Sequence, residues 1–256
     1  MMHEPASLDV FGLKVTPMTA DELIALLAER VGSTARFIVA NQNLHGAYLF
    51  FSDGGFRALH QRALVHIDGM PIVWLARLAG ARVDRAHRLT YIDLMPPVLR
   101  TAAARGWRVF YLGSEPDVLT AGLERLRTLY PGLVVAGAHG YFDQRPTSAD
   151  NRRIVAEINA ARPNLLVIGM GMPRQEHWLG DNIDGLAVDS VLLAGAYLDY
   201  VAGRQATPPR WLGPLGLEWL HRLASDPRRL WARYLVEPWF VLFHIACHRW
   251  RRGGRT

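Results

Sequence analysis

The chain has almost no cysteine, and further absences bound what it can be. Cys247 is the only cysteine among 256 residues, which excludes a disulfide within the chain and a cysteine-based metal site. The N-terminal residues show no basic segment followed by an apolar run, so no signal peptide is predicted. No stretch of about 18 uncharged apolar residues occurs, so no transmembrane span is predicted. These absences are typical of a protein of the reducing cytoplasm.

Motifs for a dinucleotide or a metal are also missing. The first apolar strand is followed by ANQNLHG, which is not the GxGxxG fingerprint of a dehydrogenase or epimerase. The histidines of the central part of the chain are His45, His60, His66, His87, His139 and His177. Because none has a carboxylate at the spacing of a metal site, we predict that they are structural or surface residues and that no metal is bound.

The positive charge is confined to the end of the chain. Residues 204–256 hold ten arginines against Glu218, Asp226 and Glu237, a balance of +7, whereas residues 1–203 hold nineteen basic and twenty acidic residues. Five of the eight tryptophans share that end: Trp211, Trp219, Trp231, Trp239 and Trp250. Arginine with tryptophan is typical of a membrane-interfacial segment. A nucleic-acid patch, or a basic surface without a partner, is the alternative.

Apolar runs alternate with segments of helical periodicity over the first four fifths of the chain. The runs predict strands at Phe37–Ala40, Leu64–Ile67, Val109–Leu112, Leu133–Ala136, Leu165–Ile168 and Val191–Ala194. Helices are predicted at Ala20–Arg30, Leu44–His60, Ile72–Leu78, Tyr91–Arg105, Pro116–Tyr130, Ser148–Ala161 and Gln175–Gly180. This alternation favours an α/β fold with a Rossmann-like, mostly parallel sheet and helices on both faces.

The pattern changes after residue 203, where a connector rich in proline and glycine begins. We therefore predict an α/β domain over residues 1–203 and a basic, Trp-rich C-terminal helical appendage over residues 204–256. The appendage is predicted to form two helices, Leu217–Ala224 and Arg228–His248, and Pro238 should kink or break the second. Its short length indicates that it packs on the α/β body or on a membrane.

Ligand sites in open parallel sheets lie beyond the carboxyl ends of the strands. Polar residues and glycines follow the predicted strands at Asn41 and Asn43, Asp68-Gly69, Gly113-Ser114, Gly140-Tyr141, Gly169–Gln175 and Gly195–Asp199. The richest of these segments is residues 164–178, NLLVIGMGMPRQEHW, where a strand enters a glycine turn and a helix start. Glycine backbone, a helix N-terminus and the cation of Arg174 together favour a phosphorylated substrate. Glycine also ends strands for purely structural reasons, so no single segment decides the matter.

In the order of these residues the chain resembles the WecG/TagA/CpsF glycosyltransferases over about residues 8–235. The shared order is Asn41, Asp68-Gly69, Arg88 with Asp93-Leu94, Phe110–Gly113, Tyr130–Gly132, Gly140–Phe142, Gly169–Glu176, Gly195–Asp199, Ala202-Gly203, Glu218–Arg222, Asp226-Pro227 and Arg233-Tyr234. Single elements are unspecific. Pro-Arg-Gln-Glu followed by Glu-Trp-Leu-His-Arg is specific.

The resemblance implies an inverting, UDP-sugar-dependent hexosyltransferase. Its acceptor would be a saccharide on undecaprenyl diphosphate, used in exopolysaccharide or other cell-surface polysaccharide biosynthesis. The enzyme would be cytoplasmic and peripheral on the inner face of the cytoplasmic membrane. The family is expected to need no metal or other cofactor, and this sequence has no Asp-x-Asp motif of the kind that holds a metal to a nucleotide sugar.

Two positions depart from the family pattern. Val39 stands where a threonine is common, and Tyr91 stands where a glycine is common, so a ring should narrow the pocket. These departures leave the identity of the transferred sugar open, and the resemblance to the exopolysaccharide branch of the family implies a neutral hexose such as glucose. The alternatives are N-acetylmannosamine or its uronic acid, and, from a different class, a non-catalytic binding protein with a basic tail.

An inverting transfer needs a general base on the acceptor hydroxyl and charge stabilisation on the departing UDP. Asp68 is the candidate base, with helix capping as the alternative. Arg88 and Gln175 are further catalytic candidates; they could instead belong to a solvated loop and a first helical turn. Asn41 is expected either to position a sugar hydroxyl or to form an Asx turn.

Without a metal, arginines have to neutralise the diphosphate. The tail offers three arginines for this purpose, and two tyrosines are expected either to stack on uracil or to belong to the core. The predicted substrate-binding residues are Asn41, Gly69, Gly113, Gly140, Tyr141, Gly169, Gly171, Pro173, Arg174, Gly195, Tyr197, Asp199, Arg222, Arg229 and Arg233.

The apolar segment Trp239–Cys247 is flanked by Glu237-Pro238 and by the sequence His-Arg-Trp-Arg-Arg at residues 248–252. It is too short to span a bilayer, and we expect it to lie in the interface of an anionic membrane. Packing into the body or a partner subunit is the alternative. The expected partners are thus a UDP-sugar, a lipid-diphosphate-linked acceptor and an anionic membrane surface, without nucleic acid; a homo-oligomer is left open.

Overall fold

A parallel sheet of six strands, preceded by a short hairpin, organises the protein. The computed structural model describes residues 5–33, 36–207, 209, 212 and 216–253, without the side chains of Arg229 and of residues 251–253. The strands are β1 Leu8–Val10, β2 Leu13–Val15, β3 Phe37–Gln42, β4 Leu64–Ile67, β5 Arg108–Gly113, β6 Val134–Ala138, β7 Leu165–Gly169 and β8 Ser190–Leu193. The sheet order is β4-β3-β8-β7-β5-β6, with all neighbours parallel. The α/β fold predicted from the alternation of strands and helices is confirmed.

Twelve α-helices are described in the same part of the chain. They are α1 Ala20–Arg30, α2 Leu44–Ser52, α3 Gly54–Arg62, α4 Met70–Leu78, α5 Tyr91–Arg105, α6 Pro116–Leu129, α7 Ala149–Ala161, α8 Arg174–Asn182, α9 Tyr197–Val201, α10 Glu218–Ser225, α11 Pro227–Leu235 and α12 Glu237–Gly253. Helices cover both faces of the sheet. α1, α5, α6 and α9 share one apolar cluster with the strands, and α3, α7 and α8 share another.

Two local elements differ from the sequence-based expectation. The single helix predicted over Leu44–His60 is wrong: Asp53 has extended backbone, ends α2 and caps α3 by accepting a hydrogen bond from the Phe56 N–H at 2.9 Å. The β1-β2 hairpin was not predicted, because three-residue strands are too short to show periodicity. Its turn uses Phe11 and Gly12, both with positive φ, and is closed by Asp9, whose side chain accepts from the Gly12 N–H at 2.6 Å.

The C-terminal helices pack on the sheet domain. Val241 and Ile245, on one side of α12, are buried in a cluster with the hairpin, α2 and α4. The ring of His244 stacks on Phe51 of α2 at 4.9 Å between centroids. The chain leaves helical structure at Val236, so the break expected near Pro238 is confirmed. Within the described ranges no helix is long and apolar enough to cross a membrane.

Candidate active site

A cleft at the carboxyl ends of β3, β4, β7 and β8 is closed on its far side by the C-terminal helices. It consists of two connected chambers. The tail chamber, about 310 Å³, lies between the start of α4 and helices α10 and α11. The sheet chamber, about 270 Å³, lies over the ends of β3, β7 and β8. Residues that line both chambers are Asn43, Asp68, Thr90, Arg222, Arg233 and Tyr234.

Asp68 is held at the junction of the chambers by two amides. It follows β4 directly, and its backbone N–H donates to the carbonyl of Gln42 at 2.9 Å. Its Oδ2 accepts hydrogen bonds from Asn41 Nδ2 at 2.7 Å and from Asn43 Nδ2 at 3.2 Å. Burial raises the pKa of Asp68 above its usual range, against the opposing effect of Arg222, of both amides and of Arg88. A carboxylate poised in this way is suited to accept a proton from a bound hydroxyl.

Arg88 anchors the tail to the end of β4. Leu89 donates its N–H to the carbonyl of Ile67 at 2.8 Å, which places Arg88 beside the strand end. The Arg88 guanidinium forms an ion pair with Glu218 of α10, while its Nε is buried without a partner among the described residues. The alternative of a solvated loop does not fit this side chain, which lines the tail chamber.

Two arginines of the tail line both chambers. Arg222 lies over the ring of Tyr200 at 5.9 Å, and its Nε is buried without a partner among the described groups. Burial acts to lower the pKa of Arg222, but Tyr200, Tyr234, Asp68 and Glu218 outweigh it and the pKa is raised. Arg233, four residues beyond Arg229, is so buried that its pKa is lowered. Guanidinium groups with unpaired donors in a cleft are suited to bind a diphosphate.

Gln175 ties two loops of the sheet chamber together. Its Oε1 accepts from the N–H groups of Gly171 and Gly195, both at 3.2 Å, and its Nε2 donates to Glu176 at 3.0 Å. The side chain is buried, yet it lines the sheet chamber. Gln175 therefore holds these two loops in place, in addition to the substrate contact that is predicted for it.

Glu176, the neighbour of Gln175 in the chain, is fully buried, and its Oε2 has no hydrogen-bond partner among the described residues. Burial raises its pKa to about 7, against the hydrogen bond from Gln175. Because the folded state keeps a proton that the unfolded chain loses near pH 4.5, stability falls as the pH rises between these two values.

Replacing Glu176 by glutamine should therefore stabilise the protein at neutral and higher pH. We expect the free energy of unfolding of Glu176→Gln to match that of the wild type near pH 5 and to exceed it by on the order of 3 kcal/mol at pH 8. Urea titrations at the two pH values measure this difference. A difference that does not change with pH would show that the buried carboxyl is not protonated.

Three predicted substrate glycines lie where a side chain would clash with neighbouring atoms. A Cβ on Gly113 would lie 2.4 Å from the carbonyl oxygen of Gly169, and one on Gly169 would lie 1.8 Å from the Tyr111 hydroxyl. A Cβ on Gly140 would lie 2.9 Å from Met170. None of these three glycines lines either chamber.

The predicted set divides between the cleft and its surroundings. The cleft is lined by Asp68, Arg88, Gln175, Asn41, Gly69, Gly171, Gly195, Tyr197, Arg222 and Arg233. Outside its lining lie Gly113, Gly140, Tyr141, Gly169, Pro173, Arg174 and Asp199. The side chain of Arg229 and the whole of Trp211 lie outside the described residues.

Some of the outlying residues have other contacts. Arg174 donates to the carbonyl of Gly140 at 2.8 Å and lies over the exposed ring of Tyr141 at 5.5 Å. Asp199 accepts a hydrogen bond from Ser114 Oγ at 3.0 Å. Tyr197, which lines the sheet chamber, also belongs to a buried core cluster, which fits the core alternative.

Sequence reasoning left several lining residues out of the predicted set: Asn43, Thr90, Tyr91, Tyr200, Glu218 and Tyr234. Asn43 had a signal, because it precedes a helix and caps it by accepting from the Gly46 N–H at 3.0 Å. Glu218 belongs to the Glu-Trp-Leu-His-Arg motif of the family, but its pairing with Arg88 had no sequence signal, since the two residues are 130 positions apart.

The histidines make no metal centre in the described ranges, where no group of three or more His, Cys, Asp or Glu side chains could hold a metal ion. His45 instead contacts Glu237 of α12 at 2.6 Å. His60 and His66 are buried, and burial lowers the pKa of His60 to about 3 and that of His66 to about 4. Both are therefore neutral at physiological pH.

The fold and the cleft define a class of protein. A parallel sheet whose strand ends carry a carboxylate beside partly buried guanidinium groups suits group transfer from an anionic substrate. The model of the family described as "Glycosyl transferase WecG/TagA/CpsF family" matches residues 8–255. The chain belongs to this family and is a glycosyltransferase.

Curated relatives of this chain include proteins of Staphylococcus aureus. The proteins of strains MW2, NCTC 8325 and MRSA252 are named N-acetylglucosaminyldiphosphoundecaprenol N-acetyl-beta-D-mannosaminyltransferase. Each is 28% identical to this chain over 195 residues, which cover 75% of this chain and 70% of the relative.

Proposed function

We propose that the protein is an inverting glycosyltransferase that moves N-acetylmannosamine from a UDP donor to N-acetylglucosamine on undecaprenyl diphosphate. The observation that carries the proposal is Asp68, held by two amides where two chambers meet beside partly buried arginines. The names of the curated relatives support this sugar over the glucose expected from the sequence. The sheet chamber, which the ring of Tyr91 lines, has a volume of about 270 Å³.

In the proposed reaction Asp68 takes the proton of the acceptor hydroxyl as its oxygen forms a bond to the donor C1. The bond between C1 and the UDP oxygen breaks, and its electron pair leaves with UDP. A single displacement of this kind inverts the configuration at C1. Arg222 and Arg233 would stabilise the charge that develops on the diphosphate, so the proposed reaction needs no metal.

The two chambers suit different substrates. The sheet chamber is lined by the loops at Gly171 and Gly195, whose lack of side chains lets a nucleotide diphosphate approach. The tail chamber is lined by Met70, Pro71 and Trp219, which suit a lipid-linked acceptor. We assign the donor to the sheet chamber and the acceptor to the tail chamber.

A donor panel tests the proposal. UDP release is measured with a lipid-diphosphate N-acetylglucosamine acceptor and each of several UDP-sugars, including UDP-N-acetylmannosamine, UDP-N-acetylmannosaminuronic acid and UDP-glucose. We expect acceptor-dependent release with UDP-N-acetylmannosamine alone. Release with UDP-glucose would instead support glucose, the sugar expected from the sequence. UDP binding without release from any donor would favour a non-catalytic binding protein.

We also propose that the tail rests on an anionic membrane. The side of α12 opposite its buried residues exposes Trp239, Phe243 and Trp250, with 72%, 66% and 82% of their surfaces accessible. On α4, Trp74 and Leu78 are exposed as well. Gly216, before α10 and in the lining of the tail chamber, lies near Trp74, which places that exposed ring at the rim of the chamber. Such a surface suits contact with the membrane that holds the acceptor.

Removing two exposed aromatic groups should weaken membrane binding. We expect Trp239→Ser with Phe243→Ser to lower the binding constant for anionic vesicles by at least about tenfold, with thermal stability unchanged. The matched control is Leu129→Ser with Val134→Ser, since both residues are exposed at the opposite end of the sheet. Equal sedimentation of the two double variants with vesicles would contradict membrane contact through α12.

A further inference from the structure

The two amides that hold Asp68 are oriented by different groups. Asn43 is fixed by the backbone, because its Oδ1 accepts from the Gly46 N–H at 3.0 Å. Asn41 has no such backbone donor among the described contacts. Its Oδ1 accepts from the Tyr91 hydroxyl at 3.3 Å, which directs Nδ2 to Asp68 at 2.7 Å.

The orientation of Asn41 matters because an amide is asymmetric. If its oxygen faced Asp68, two acceptors would oppose each other and the carboxylate would lose a donor. A hydroxyl that donates to the amide oxygen excludes that arrangement. Burial and the nearby Asp68 and Glu176 carboxylates raise the pKa of Tyr91 well above its usual range, so the phenol keeps the proton that it donates.

The ring of Tyr91 is itself held in place. Tyr91 is the first residue of α5, it is buried, and its ring meets that of His66 edge to face at 5.6 Å between centroids. His66 lies beside Asn41 in the register of β3 and β4. The hydroxyl therefore reaches Asn41 from a rigid position.

We infer that Tyr91 is a positioning residue for the candidate base and acts through Asn41. Both amides donate to Oδ2 of Asp68, and no hydrogen bond to its Oδ1 occurs in the described part of the chain. Oδ1 is then the atom that accepts the proton of the acceptor hydroxyl. This inference rests on the proposed function, in which Asp68 is the base.

Tyr91→Phe removes the hydroxyl and keeps the ring. We expect kcat to fall about tenfold with little change in the KM for the donor. The hydrogen bond from Asn41 lowers the pKa of Asp68, so its loss should raise that pKa. The acidic limb of the kcat/KM profile should then move to higher pH by roughly one unit, and activity should partly recover in alkaline buffer.

Two comparisons separate positioning from a general packing role. Tyr111→Phe is the matched control. Tyr111, on β5, is also a buried phenol, but its hydroxyl contacts Ser114 and not Asn41. Its pH profile should stay that of the wild type. In an Asn41→Ala background, Tyr91→Phe should have no further effect. Additive losses, or an unmoved acidic limb in Tyr91→Phe, would overturn the inference.

The inference can fail separately from the proposed function. Full activity of Asp68→Asn would refute the base, whereas an inactive Asp68→Asn with a normal pH profile in Tyr91→Phe would refute only the role of Tyr91. If no donor is turned over, carbon NMR titration of aspartate-labelled protein reports the pKa of Asp68 directly. A rise in that pKa in Tyr91→Phe supports the inference, and no rise overturns it.

Discussion

Asp68→Asn should lose nearly all transferase activity while the protein stays folded. We expect kcat to fall by about 10²–10⁴-fold, because an amide cannot accept the proton of the acceptor hydroxyl. The substitution keeps the size of the side chain, and the introduced amide oxygen can still accept hydrogen bonds from Asn41 and Asn43. UDP binding, measured by calorimetry, should remain, which separates lost chemistry from lost structure.

The control for this result is Asp117→Asn, which removes a carboxylate from the exposed first turn of α6. It should keep wild-type rates. The burial of Asp68 also affects the pH dependence of the wild-type enzyme. Because the pKa of Asp68 is raised, activity should decline on acidification at a higher pH than it would with an aspartate of ordinary pKa. Retained activity in Asp68→Asn would assign the base to another group.

Arg222→Ala should be the second most damaging single substitution. Arg222 lines both chambers and has a buried, unpartnered Nε among the described groups. Loss of its charge should lower kcat/KM by about 10²–10³-fold, because developing charge on UDP is no longer stabilised. Since Arg222 also lowers the pKa of Asp68, the acidic limb of the pH profile should move to higher pH.

Two variants sharpen that test. Arg222→Lys keeps the charge and loses the planar pair of donors, so it should recover only part of the rate. Arg228→Ala removes an exposed charge from the neighbouring helix α11 and should be close to wild type. If Arg222→Ala and Arg228→Ala behave alike, the effect belongs to the net charge of the tail and not to a diphosphate contact.

The sheet and the position of Asp68 could be predicted because both depend on short-range patterns. Apolar runs of four to six residues identify buried strands, and a polar residue after each run must lie at the carboxyl edge. Asn41 and Asp68 were found in this way. The same pattern could not tell which glycines make room for a ligand and which make room for a neighbouring stretch of backbone. Gly171 lines the cleft, whereas Gly113 packs against Gly169.

The closure of the cleft could not be predicted, because it depends on contacts between distant parts of the chain. Glu218 with Arg88 and Glu237 with His45 join the tail to the strand ends. No periodicity reports such pairs. The division at residue 203 thus stays a prediction about composition, while the described tail helices supply part of the lining of both chambers.

Tyr91, which stands where the family commonly has glycine, shows that the role of a residue depends on where its polar atom lies. From the sequence, a ring in place of glycine was expected to narrow the pocket. In the structure Tyr91 does line the sheet chamber, but its hydroxyl turns to Asn41 beneath Asp68. The direction of the Tyr91 side chain is set by tertiary packing against His66. Such a direction cannot be predicted from a single sequence.

The most direct test of the central claim is the structure of the product. Wild-type protein is incubated with UDP-N-acetylmannosamine and a lipid-diphosphate N-acetylglucosamine, and the product is analysed by mass spectrometry and NMR. We predict one added N-acetylhexosamine per UDP formed, β-linked, so that the configuration of the donor is inverted. An α-linked product, or UDP formed at the same rate without acceptor, would contradict single displacement assisted by Asp68.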